Sequence, residues 1–172
     1  EEIAAIKAVL DAFVAKGGNF IDTADVYHGG RSEEVLGHWL EQQNRCSLVI
    51  ATKVFFGGPG PNDAGLSKVH LMDAVNKSLA RLKTTYIDIY QIHAWDAQTP
   101  PDVWLQTMRE LVLSGKIRTV GVSNVTGWQL QKIVMLAKNL GVPIASLQTQ
   151  YNLMCREPEF ELINCSLEDN IG

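Results

Sequence analysis

The sequence predicts an α/β chain of the (β/α)8 TIM-barrel type, here an incomplete barrel of about five βα units. Short apolar runs rich in β-branched residues alternate singly with amphipathic helical stretches along all 172 residues. The connections are short, so consecutive strands are expected to lie parallel with a helix crossing between them. Alternating βα units also fit a doubly wound open sheet. A nucleotide-binding sheet of that kind would often carry GxGxxG after its first strand, and no strand here is followed by it.

In order, residues 2–16 (EIAAIKAVLDAFVAK) place apolar side chains at helical spacing, and Gly17-Gly18 end the helix. "NFIDTA" (19–24) reads as a strand. "SEEVLGHWLEQQ" (32–43) reads as a helix opened by Ser32, with glutamates in its first turn. "SLVIATKVF" (47–55) is a strand, and "GGPGPNDAG" (57–65) is a loop by composition. Residues 66–83 form a helix capped by Ser67, and "YIDIYQIHAW" (86–95) forms a strand. The helix over 99–116 is entered through Pro100-Pro101 and left through Gly115. Strand 117–124, helix 126–141, strand 144–152 and a last helix over 157–170 complete the alternation. The strands are nearly continuous apolar runs, as expected when helices cover one face and a packed interior the other. No linker is visible, so residues 1–172 are expected to be one domain.

With 46% hydrophobic and 20% charged residues, the chain can build one sizeable core. A net charge of -4 argues against nucleic acid or an anionic membrane as a partner through bulk charge. No apolar run approaches the roughly 20 residues that would span a bilayer, and no signal peptide is visible. Cys46, Cys155 and Cys165 form no CxxC pair and no metal-ligand spacing. They read as small side chains in or near the core of a protein in a reducing, cytoplasmic compartment.

In a barrel, the active site lies at the C-terminal ends of several strands. Those ends carry, in order, Asp22 followed by Tyr27, then Lys53, His93, Ser123 with Asn124, and Gln148. A lone lysine there is usually a surface residue, a lone histidine structural, and a lone tyrosine a packing residue with a wet hydroxyl. Serine and asparagine after a strand often cap the next helix. Together they are harder to dismiss. Lys53 follows the apolar run 48–51, where a charge is costly unless paired. Asp22, on the neighbouring strand, is its expected partner.

A cation held against a phenol favours the phenolate, so Tyr27 beside Lys53 suits a general acid near neutral pH. Asp22 would keep Lys53 charged and aimed, and His93 would orient a substrate oxygen. A proton donor without a nucleophile–base pair or a metal-ligand cluster fits carbonyl reduction by a hydride from a cofactor. Ser123, Asn124 and Gln148 offer the donors and acceptors that a nicotinamide carboxamide needs. Phe55, Phe56 and Trp95 are expected to wall a substrate pocket for an apolar or aromatic carbonyl compound.

"FIDTADVY", "VIATKV", "YIDIYQIH", "VGVSN" and "QTQYN" resemble the successive motifs of the aldo-keto reductases, in that family's order and spacing. The resemblance covers nearly the whole chain. It implies that Asp22, Tyr27, Lys53 and His93 form a catalytic tetrad, and that Ser123, Asn124 and Gln148 bind the carboxamide of NADP(H). "YHGGRSEEVLG" and "QYNLMCRE" look closer to the branch holding bacterial oxidoreductases and potassium-channel β subunits than to aldose reductase. The partner implied is a small-molecule carbonyl substrate, with a second copy of the chain or a channel as a further partner; the alternative functions are a regulatory, potassium-channel β-subunit-like protein that binds the cofactor, and an inactive truncated fragment.

The resemblance also implies that the five strands are the second to the sixth of eight. The first strand, strands 7 and 8, the aromatic that stacks on nicotinamide and the residues that grip the cofactor phosphates would then lie outside the chain. The chain is therefore expected to be a fragment or truncated form of a longer protein. Five strands would leave two parallel edges exposed. The apolar interior would face water through the gap, giving a marginal fold unless a second copy or a missing segment closes it.

Overall fold

A computed structural model describes residues 2–172. It contains α1 (Glu2–Ala15), β1 (Phe20–Asp22), α2 (Arg31–Leu40), β2 (Val49–Val54), α3 (Lys68–Leu82), β3 (Ile87–Ile92), α4 (Pro101–Leu113), β4 (Ile117–Ser123), α5 (Gly127–Leu140), β5 (Ile144–Gln148) and α6 (Leu162–Glu168). The five strands form one parallel sheet in sequence order, curled into an incomplete (β/α)8 barrel. β1 and β5 are its two open edges.

The curl is visible in a single contact. In a flat sheet, β1 and β5 would stand about 19 Å apart, four strand spacings of about 4.8 Å. Yet Gln148 Nε2 on β5 lies 3.2 Å from Asp22 Oδ2 on β1. The sheet must bend around its inner face for these side chains to meet.

Register and the period of two decide what each face carries. Lys53 pairs with Gln91, Gln91 with Gly121, and Ser123 with Gln148. These residues share the inner face with Asp22. The outer face carries Ile50, Val54, Tyr90, Ile92, Val120 and Val122, which pack against Leu71, Val75, Leu105, Met108, Leu130 and Ile133 of the helices. Each is fully buried, and burying one such side chain stabilises the fold by about 1.5–3 kcal/mol. The core therefore lies outside the sheet. The interior is not the apolar surface that the sequence suggested: it carries an amide, a lysine, serines and a carboxylate. The apolar runs owe their length to the outer face, with Ala51 and Ile89 as apolar fill between the inner polar groups.

Three other local expectations shift. Ser32 does not cap α2. The chain leaves Tyr27 through three left-handed residues, His28 (φ 49°), Gly29 (φ 64°) and Gly30 (φ 95°), so the helix begins one residue earlier, behind Gly30. The Ser32 hydroxyl instead lies 2.8 Å from that of Thr23. Ser67 does cap α3, accepting from His70 N at 3.2 Å. The last helix is two pieces, a single turn over Glu157–Glu159 and then α6, because Glu161 leaves helical geometry between them (φ -143°). Cys46 is exposed rather than near the core.

Candidate active site

Lys53 is 1% exposed, because it ascends from the middle of the sheet onto the inner face. A buried ammonium needs a counter-charge and acceptors for all three protons. It has them: Asp22 Oδ2 at 2.6 Å, the Thr23 carbonyl at 2.8 Å and Tyr27 Oη at 3.4 Å. The cation also lies 5.0 Å from the centre of the Tyr27 ring.

Tyr27 stands in the short turn after β1, anchored by its amide to the Ala24 carbonyl at 3.2 Å. It is 39% exposed, while its hydroxyl lies 3.4 Å from the buried Lys53 ammonium. The His93 ring crosses it edge-on at 5.8 Å. The amide of His93 donates to the Val54 carbonyl at 2.9 Å, extending the β2–β3 pairing one residue past the strand. Burial pushes the His93 imidazolium below its ordinary pKa, and the Lys53 charge adds to the effect. His93 is therefore the neutral imidazole at pH 7, with a ring N–H able to donate without carrying charge. Its Nδ1 is buried without a protein partner.

Phe56 packs edge-on against His93 at 5.0 Å and against Phe55 at 5.0 Å, making an apolar wall beside the His93 ring. Trp95 does not join that stack in the same way; its ring meets Trp128 of α5 at 5.4 Å. Asp96 ties the loop after β3 to the loop after β2, accepting from Leu66 N at 2.8 Å and from Gln98 N at 2.8 Å.

Ser123 is buried at the end of β4. Asn124 follows in a left-handed conformation (φ 53°), and its Nδ2 donates to the His93 carbonyl at 2.9 Å and to Ser123 Oγ at 3.1 Å. Gln148 donates to Asp22. Thus β1, β2, β3, β4 and β5 deliver all seven expected polar side chains to one end of one face.

Sequence reasoning passed over Gln91. It is 2% exposed, and its Nε2 donates to Asp22 Oδ1 at 2.8 Å. The period of two was the available signal, since Gln91 stands two residues before His93 on one strand. Trp128 and Asp96 were also missed; nothing local in the sequence marks either.

A family model described as the aldo/keto reductase family matches residues 2–172. The chain is 36% identical over 178 residues to versiconal hemiacetal acetate reductase of Aspergillus parasiticus, covering 91% of this chain and 52% of that protein. It is 36% identical over 161 residues to a probable voltage-gated potassium channel subunit beta of Arabidopsis thaliana, covering 90% and 49%. It is 33% identical over 178 residues to an aryl-alcohol dehydrogenase [NADP(+)] of Phanerodontia chrysosporium, covering 95% and 46%. The chain spans about half the length of the curated relatives it matches.

Proposed function

The chain belongs to the aldo/keto reductase family, and from that premise we propose that its inner-face site reduces aldehydes or ketones to alcohols, with hydride from NADPH and a proton from Tyr27. The observation that carries this is the position of Tyr27 Oη, 3.4 Å from a buried ammonium and borne by a side chain that is itself exposed. A phenol that gives up its proton leaves a phenolate, and the Lys53 charge stabilises that anion at the moment it forms. Asp22 holds the ammonium in place through its 2.6 Å contact. Neutral His93, across the Tyr27 ring, offers an N–H to the carbonyl oxygen and aims it at the phenol.

The donor set fits a nicotinamide carboxamide. The Ser123 hydroxyl accepts from Asn124 and keeps its own proton to donate; the side-chain carbonyls of Asn124 and Gln148 are acceptors at the same strand ends. Bound there, NADPH supplies the hydride. Phe55, Phe56 and Trp95 would line the substrate side, and the relative named as an aryl-alcohol dehydrogenase supports an aromatic or apolar carbonyl compound.

The test is NADPH oxidation with an aldehyde panel, compared with Tyr27→Phe. Turnover should fall by roughly 10²–10⁴-fold, while NADPH binding, followed by fluorescence titration, is retained. Turnover that survives Tyr27→Phe would overturn the proposal. The relative named as a channel β subunit favours a second reading, in which the fold binds cofactor and acts through a membrane-channel partner. That reading predicts NADPH binding with negligible turnover, and co-purification with a channel.

A further inference from the structure

We propose that Gln91 is the positioning residue of this site: its amide fixes the Asp22 carboxylate so that Oδ2 stays aimed at Lys53, and Gly121 is the gap that lets it do so. The inference rests on the proton-donating role assigned to Tyr27.

Asp22 sits at the end of a three-residue edge strand, with a side chain 27% exposed. Nothing on its own strand prevents the carboxylate from turning about its Cβ–Cγ bond. Two contacts do so. Gln91 Nε2 holds Oδ1 at 2.8 Å, and Lys53 Nζ holds Oδ2 at 2.6 Å. The two oxygens thus have different partners, and that difference sets the plane of the group. Gln148 also reaches Oδ2, at 3.2 Å. It comes from the opposite open edge, is exposed, and is one of the groups assigned to the cofactor. Gln91 is the buried partner, two strands away from Asp22.

A glutamine must lie along the inner face to reach from β3 to β1. The neighbouring position on β4 is Gly121, in register with Gln91. A Cβ there would stand 2.7 Å from Gln91 Cγ and 2.8 Å from Ser146 Oγ. No side chain at residue 121 is compatible with the present course of Gln91. The run from Gly121 to Gln91 to Asp22 to Lys53 to Tyr27 is therefore one continuous set of contacts, with the proton donor at its end.

Gln91→Met tests this, because it removes both amide hydrogens while nearly keeping length and volume. The exchange of the Lys53 ammonium protons with water is followed in the full chain by nitrogen-resolved NMR, with Lys53→Met as the control that assigns the signal. In Gln91→Met that exchange should quicken by about 10-fold, because a carboxylate free to turn holds the ammonium less firmly. Gly121→Ala should quicken it in the same direction and serves as the second variant if Gln91→Met does not fold. With an aldehyde substrate, kcat should fall by about 10-fold with the NADPH dissociation constant unchanged. A merely structural Gln91 would lower Tm and leave the Lys53 exchange rate where it is; that result overturns the proposal. Quickened exchange in the variant, with no aldehyde turnover even in the wild type, would sink the carbonyl-reduction reading and leave the positioning role standing. Wild-type turnover with an unchanged exchange rate in the variant would do the reverse.

Discussion

β2 presents two charged clusters to opposite sides of one sheet. Lys53 points inward to Asp22. Thr52, one residue earlier, points outward and donates to Glu33 at 2.6 Å, and Glu33 also binds Arg81 at 2.7 Å. Each cluster holds a short carboxylate–cation pair, Lys53–Asp22 inside and Arg81–Glu33 between α3 and α2 outside, and the two pairs differ in what else they touch. The outer carboxylate is 0% exposed and its partners complete it; no substrate can approach. The inner carboxylate is 27% exposed, and its cation passes the interaction on to a phenol at the mouth. Burial alone therefore does not mark a reactive site. A buried charge whose last contact opens to solvent does.

The largest effect that would sharpen this contrast is Lys53→Met. It should reduce turnover by about 10²–10³-fold, with only a modest change in Tm, because Asp22 is open enough to be solvated once its partner is gone. Next is Arg81→Met, which strands Glu33 in the core and should destabilise the chain by about 3–5 kcal/mol in urea unfolding. Turnover per folded molecule should be unchanged; a large loss there would break the division between the two faces.

Third is Asp25, on the turn between β1 and Tyr27. Burial raises its pKa from 3.8 to about 7, helped by repulsion from Glu33 and opposed by Arg81. Behind it lies Tyr90, fully buried, with a hydroxyl that has no protein partner. A raised carboxyl pKa means that the folded state prefers the proton. Stability is therefore lost as pH rises from about 4 to about 7, and the loss is complete above that. Asp25→Asn should be more stable than the wild type at pH 8, by roughly 1–3 kcal/mol, with the gain vanishing near pH 4. A gain that is constant with pH would show that Asp25 does not titrate there. Smallest is Lys68→Ala, which breaks the exposed Lys68–Glu110 pair between α3 and α4. Thermal melting should register no more than about 0.5 kcal/mol.

Much of the site was legible because it depends on short-range rules. Period two places Lys53 and Gln148 on the face that Ala51 and Ser146 also use, and the apolar run before Lys53 signals a charge that needs a partner. Glu33 and Glu34 show where such rules stop. Side by side in the first turn of a helix, both read as solvated acids favouring the helix dipole. Glu34 is exposed, paired with Arg31 at 3.8 Å. Glu33 is fully buried, because α2 packs closely on α3: a Cβ at Gly37 would meet the Arg81 carbonyl. One helical step, about 100°, separates the two fates.

The alternation of strands and helices, the parallel order, and the polar groups standing at the C-terminal ends of the strands could all be read along the chain. These follow from local periodicity and from the cost of burying an unpaired charge. Long-range packing set the rest: a polar interior, β5 reaching β1 through Gln148 and Asp22, Gln91 holding Asp22, and Asp25 buried near Glu33. Curl is the sum of twist and packing over five strands and the helices outside them. No single segment encodes it, so contacts that depend on it appear only when the whole sheet has closed around them.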